Sequence, residues 1–147
     1  MPDMDFGFFG VNAGVLADPA TMVEAATTAE AAGWESIWTG EHVVVSSPQR
    51  PPSPVRPDTH FVDQVATLAH LSAHTTTLRL GTGIVILPQR NPVVLAKELA
   101  SIDVLSGGRL EAGFGVGYVP GEFDAVGVPF AQRGARMDDH IDALRAM

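Results

Sequence analysis

Glu41 and His42 stand side by side directly after a short apolar run, and glycines recur at 113, 115 and 117 after another, with Tyr118 and Glu122 beyond them. An imidazole next to a carboxylate suits proton transfer near neutral pH. Closely spaced glycines suit a strand end where backbone must approach a flat ligand, or one where side-chain bulk must simply be relieved. A dinucleotide fingerprint is a different matter, because Gly-x-Gly-x-x-Gly needs its third glycine three residues after the second. Counted from Gly113 that position is Tyr118, and counted from Gly115 it is Pro120, so both registers fail. No Gly-Lys-Ser/Thr sequence is present either, which excludes a P-loop.

The histidines do not suggest a metal. His70 and His74 have helical i, i+4 spacing, but the Glu of a His-Glu-x-x-His motif is missing between them, and His60 and His140 stand alone. With no cysteine, a thiolate site and a disulfide framework are both excluded. The formal charge of -8 argues against nucleic acid and anionic membrane as partners, because both would meet net repulsion. A small molecule is the expected partner. Acids at Asp3 and Asp5 replace the basic start of a secretory signal, and no apolar run reaches the ~20 residues of a membrane span, so a cytoplasmic location is expected.

The elements that must position these groups alternate in type. Phe6 to Gly10 reads as a strand, and Asp18-Pro19 opens a helix through Ala32, with Asp18 as cap, Pro19 in the first turn and Gly33 after the end. Met22, Ala25, Ala26, Ala29 and Ala32 share one face of it. Ser36 to Thr39 is the second strand, and the proline-rich stretch from 40 to 60 is irregular. A helix is expected from Phe61 to His74, a strand from Leu78 to Leu87, a helix from Asn91-Pro92 to Leu105, and a fourth strand from Arg109 to Phe114. The last helix begins near Arg133 and runs on to Met147. Such alternation implies a parallel sheet with its functional loops at the carboxyl ends of the strands. By length alone a doubly wound sheet is favoured over a (β/α)8 barrel, which takes ~250 residues.

Four stretches, taken in order, change that balance. "FGFFG" at 6–10, "AEAAGWESIWTGEH" at 29–42, "LRLGTGIVILPQRNPVVLAKELASIDVLSGGRLEAGFGVGY" at 78–118 and "EFDAVGVPFAQRGARMDD" at 122–139 together resemble the luciferase-like monooxygenase family, in its branch dependent on the deazaflavin coenzyme F420. The resemblance implies an α/β chain of the (β/α)8 barrel type, with residues 1–147 forming one partial domain that holds strands one to four. It implies hydride transfer between F420 and a small organic substrate, with an FMN-dependent monooxygenase as the alternative cofactor choice. A non-catalytic half-barrel that binds a ligand or partner subunit is the reading from another class.

Residue by residue, the resemblance assigns His42 to catalysis, with Glu41 orienting it or taking part. Thr82, Gly83 and Ile84 fall where the family has a bulge and a non-proline cis peptide behind the central flavin ring, which places the cis bond between Gly83 and Ile84. Gly115, Val116, Gly117 and Tyr118 fall where relatives contact the ribityl and phosphate region, with Val116 limited to its backbone. Phe8 is assigned to the pocket floor and Arg90 to an anionic cofactor tail. Glu122 is expected to form a salt bridge with Arg133 or Arg136. Because strands five to eight are absent from the chain, a homodimer or other self-association is expected.

Overall fold

The computed structural model describes residues 4–147, so Asp3 lies outside the described residues. Four strands form one wholly parallel sheet in sequence order: β1 Gly7–Phe9, β2 Ser36–Thr39, β3 Arg79–Ile86 and β4 Leu110–Gly115. Phe8 faces Ile37, Ile37 faces Leu80 and Leu80 faces Leu110 across the ladders. Each strand returns to the next through a helix: α1 Pro19–Ala31, α2 Gln64–Ser72 and α3 Pro92–Ser106. After β4 come α4, Pro120–Ala125, and α5, Arg133–Arg145. The wall is therefore that of a βα barrel opened along both edges, and the doubly wound arrangement favoured by length is not what forms.

Polar caps start three of the helices. Asp18 accepts from the Thr21 amide, Asn91 from Val93 and Val94, and Asp63 from Val65 and Ala66, so each takes up orphan N–H groups of a first turn. Gly33, with φ near +77°, turns the chain out of α1 as expected. Asp63 also explains why α2 starts three residues later than the apolar spacing predicts: Phe61 is spent instead on an antiparallel bridge with Ala13. The proline-rich stretch holds no helix or strand, and its Ser47–Pro48 and Pro51–Pro52 bonds are cis. The last helix stops at Arg145 rather than running to the final residue.

Between sheet and helices, Met22, Ala26, Ile37, Leu68, Leu71, Leu80 and Ile102 are buried in one cluster. On α1 the predicted face is buried only at Met22 and Ala26, whereas Ala32 is exposed. A second cluster of Val85, Leu87, Leu95 and Leu99 takes Met137, Ile141 and Leu144 of α5 against it. Burial of such side chains, worth ~1.5–3 kcal/mol each, is what fixes the helices to the wall.

β3 carries one irregularity. Thr82 pairs with Ala112 and Val85 with Phe114, so β3 advances three residues where β4 advances two. The extra residue is a β-bulge at Gly83 and Ile84. The Thr82 hydroxyl closes it, donating to the Gly113 carbonyl at 3.0 Å and accepting from the Gly113 amide at 2.8 Å. A Cβ at Gly113 would run into the Thr82 carbonyl oxygen, so this close approach requires glycine. The bulge falls where the resemblance puts it, but the bond from Gly83 to Ile84 is trans. The extra residue and the Thr82 hydroxyl bend the strand there without an isomerised peptide.

Candidate functional site

The carboxyl ends of the four strands open into an apolar cleft of about 480 Å³. Phe9 follows from β1, Gly40 to His42 from β2, Ile84 and Ile86 from β3, and Gly115 to Tyr118 from β4. Pro54 and Val55 of the proline-rich stretch form its rim. Gly117 adopts φ near +75°, which lets the chain turn from β4 towards α4, and a Cβ there would also strike Ile86 and Phe123. Phe123, fully buried, anchors the short α4.

That anchoring delivers the residue that sequence reasoning misplaced. The Glu122 side chain, 1% exposed, places Oε1 at 2.7 Å from Nδ1 of His42, whose side chain is 11% exposed. A carboxylate accepts only, so Nδ1 is the donor and Nε2 is left as the free nitrogen of the ring. Phe61 and Tyr118 stand edge-on to the imidazole, with ring centroids 5.6 and 6.4 Å away. The expected arginine partners of Glu122 are engaged elsewhere. Arg133 donates to the Phe130 carbonyl and lies over that ring, and Arg136 donates to the Pro88 carbonyl. The short α4 gives too little periodicity to be seen, although Pro120 and Glu122 in its first turn are helix-start signals.

Glu41 faces the other way. Its carboxylate accepts from the Ile86 amide and pairs with Arg90, which also donates to Asp63 at 3.0 Å. Burial disfavours a charge on Arg90, but Glu41 and Asp63 more than offset this and hold its guanidinium above its ordinary pKa. Loop after β2, end of β3 and start of α2 are thereby tied together. Asn12, 1% exposed, adds a second tie, donating to the Gly40 and Val62 carbonyls and accepting from the Gly40 amide at 3.0 Å. Its only sequence signal is an amide side chain in an otherwise apolar run.

Of the predicted site residues, the fold brings His42, Glu41, Ile84, Gly115, Val116, Gly117 and Tyr118 to the cleft wall. Thr82 is wholly buried at the bulge, and Gly83 lies under the Phe9 ring. Arg90 lines a neighbouring cavity with Glu41. Phe8 packs on the helix side, edge-on to Trp34, because alternate strand residues point to opposite faces. Phe9 takes the cleft position instead. Among the described residues no group of three or more His, Cys, Asp or Glu is arranged to hold a metal ion, and no helix is long and apolar enough to cross a membrane.

The chain's sequence and fold have known counterparts. The chain is 31% identical over 140 residues to an uncharacterised protein of Mycobacterium tuberculosis, covering 90% of this chain and 49% of that one. A monooxygenase structure from Streptomyces bottropensis superposes with a TM-score of 0.75 at 30% identity, covering 97% of this chain and 42% of the other. The coenzyme F420 dependent tetrahydromethanopterin reductase of Methanopyrus kandleri superposes at 0.61 with 25% identity, covering 87% and 31%. The chain thus spans about half the length of the curated relative it matches. Residues 4–147, nearly the whole sequence, match the description "luciferase-like monooxygenase", and the chain belongs to that family.

Proposed function

We propose that this chain is the cofactor-binding half of an oxidoreductase barrel, in which hydride passes between coenzyme F420 and a small organic substrate with His42 as the acid–base residue. The observation that carries the reading is the His42–Glu122 pair at the wall of an apolar cleft on the carboxyl side of a parallel sheet. The residues present fit a planar ring system. Phe9, Ile84, Ile86 and Val116 offer flat apolar contact, and the absence of side chains at Gly115 and Gly117 leaves backbone accessible beside them. The deazaflavin supplies a two-electron hydride carrier at C5 that reacts poorly with oxygen.

The chain's own residues do the rest. Glu122 fixes the ring and tautomer of His42, so Nε2 is ready to accept a proton from a substrate hydroxyl, or to return it in the reverse direction. Phe61 and Tyr118 shield the imidazole from water. Glu41 and Arg90 are positioning residues, holding the loop that carries His42 against the end of β3. Thr82 and Gly83 shape the bulge that turns Ile84 to the cleft.

A second reading is an FMN-dependent monooxygenase, favoured by the 30% identity to a monooxygenase. Fluorescence titration of the purified chain with oxidised F420, and in parallel with FMN, separates them. Tighter F420 binding is expected. Preference for FMN moves the chain to the second reading, and binding of neither leaves a half-barrel that needs its partner half before it takes a cofactor.

A further inference from the structure

Among the described residues, only three polar side chains line the apolar cleft: Glu41, His42 and Tyr118. The Glu41 carboxylate is taken up by the Ile86 amide and Arg90, and Nδ1 of His42 by Glu122. Nε2 of His42 and the Tyr118 hydroxyl remain for a ligand. Tyr118 is 47% exposed and is fixed from both sides: Gly117 before it turns the chain out of β4, and Val119 after it is buried. Its ring stands edge-on to the imidazole with centroids 6.4 Å apart, a separation that one small-molecule oxygen can bridge with two hydrogen bonds of ~2.8 Å. The turn that leaves β4 therefore serves His42 twice, with Tyr118 beside the ring and Glu122, one turn later, on Nδ1. The two free groups differ in kind. With Nδ1 the donor, Nε2 accepts, whereas a phenolic hydroxyl can donate. An alcohol oxygen matches both at once, giving its proton to Nε2 while a lone pair receives the tyrosine O–H. A charged group finds no free counter-charge on this wall, because Arg90 neutralises Glu41.

We infer that Tyr118 is a second catalytic residue, whose hydroxyl binds the same substrate oxygen from which His42 takes the proton. The substrate is then a neutral alcohol on an apolar body, or the matching carbonyl compound in the reverse direction. The inference rests on the reading of His42 as the acid–base residue. The resemblance assigns Tyr118 to the cofactor's ribityl and phosphate region, and its place beside His42 moves it to the reacting oxygen. In the oxidising direction the alcohol C–H bond breaks with its electron pair leaving as hydride to the deazaflavin. The O–H proton goes to Nε2, and the carbon–oxygen double bond forms. Tyr118 keeps its proton throughout, and its hydrogen bond strengthens as negative charge grows on the oxygen.

The test is an NMR titration of the full chain, wild type and Tyr118→Phe, with cyclohexanol and with methylcyclohexane, which has nearly the same shape without the hydroxyl. Binding is read from the methyl resonances of Ile84 and Ile86 in the cleft wall. Tyr118→Phe keeps the ring and removes one oxygen, so its cyclohexanol affinity should fall at least threefold while its methylcyclohexane affinity stays the same. Tyr118 is the chain's only tyrosine, so its ring Cζ resonance is assigned at sight. That resonance should move with cyclohexanol and not with methylcyclohexane. Equal losses for both ligands would make Tyr118 a packing residue and overturn the inference. No loss for either ligand, or no binding of cyclohexanol by the wild type, overturns it as well. The titration needs neither cofactor nor turnover, so it can fail while the acid–base reading stands. Unchanged turnover in His42→Asn would sink that reading and leave the titration result in place, so the two failures are distinct.

Discussion

A histidine whose Nδ1 is held by a carboxylate has its free nitrogen fixed before any substrate arrives, and proton transfer then costs no reorientation of the ring. Here the carboxylate comes from 80 residues further along the chain, and its burial makes the pair interdependent. Removing one partner of a buried pair leaves an uncompensated group and costs ~3–5 kcal/mol, so Glu122→Leu should be poorly folded. Glu122→Gln keeps an acceptor and should fold. We expect His42→Asn, whose amide can still donate to Glu122, to lower hydride transfer in the assembled enzyme at least tenfold with cofactor affinity little changed. Glu122→Gln should lower it less and shift the imidazole tautomer, read from the nitrogen-15 resonances. Unchanged turnover in His42→Asn would remove His42 from the chemistry. His42 was legible in the sequence because its residue type and its place after an apolar run agree. Glu122 was visible as an acid but not as its partner, since nothing local encodes a contact over that separation. Phe8 and Phe9 show the same limit at one residue's distance: composition marks an aromatic strand, but which face looks inward depends on the register with β2.

The elements were more legible than the contacts between them. Caps at Asp18 and Asn91, with prolines just inside, announced two helices almost to the residue, whereas α4 was too short to leave a pattern. At the other end of the sheet, away from the cleft, Glu30 at the close of α1 accepts from the amides of Thr76, Thr77 and Leu78 and from the Thr77 hydroxyl. Burial pushes its carboxyl up, but these donors win and lower it from 4.5 to about 2. A depressed carboxyl contributes stability that is complete above its unfolded value and is lost as pH falls towards its folded one. Thermal melts of the wild type should therefore lose stability between about pH 4.5 and 2 through this group. Glu30→Gln should start less stable at pH 7 and fall less steeply across that window. A parallel loss in both proteins would assign the acid sensitivity to other groups.

At the scale of the whole molecule, the sheet has two unpaired edges, at β1 and β4. Beyond β1, Phe8, Ala25, Ala29 and Trp34 line an apolar groove, and beyond β4, Val93, Ala96, Phe114 and Ile141 line another. Open parallel edges with apolar flanks invite strand pairing. The isolated chain should self-associate or melt without cooperativity, and light scattering that shows a monomer with a sharp melt would contradict this. The acidic balance that argues against nucleic acid does little to prevent such pairing, because the edge contacts are apolar. The barrel character itself was carried in the sequence by the ordered stretches, not by length, which pointed to a doubly wound sheet. The bulge in β3 bears on this wall in another way. By inserting one residue it exchanges odd and even positions part-way along the strand: Leu80 and Val85 both serve the helix side, and Ile84 and Ile86 both serve the cleft. β3 is in effect two reading frames spliced at Gly83, so deletion of that single residue would merge them into one regular strand, with Val85 still turned to the core and Ile84 and Ile86 still turned to the cleft, and would remove only the bend that the bulge gives the cleft wall.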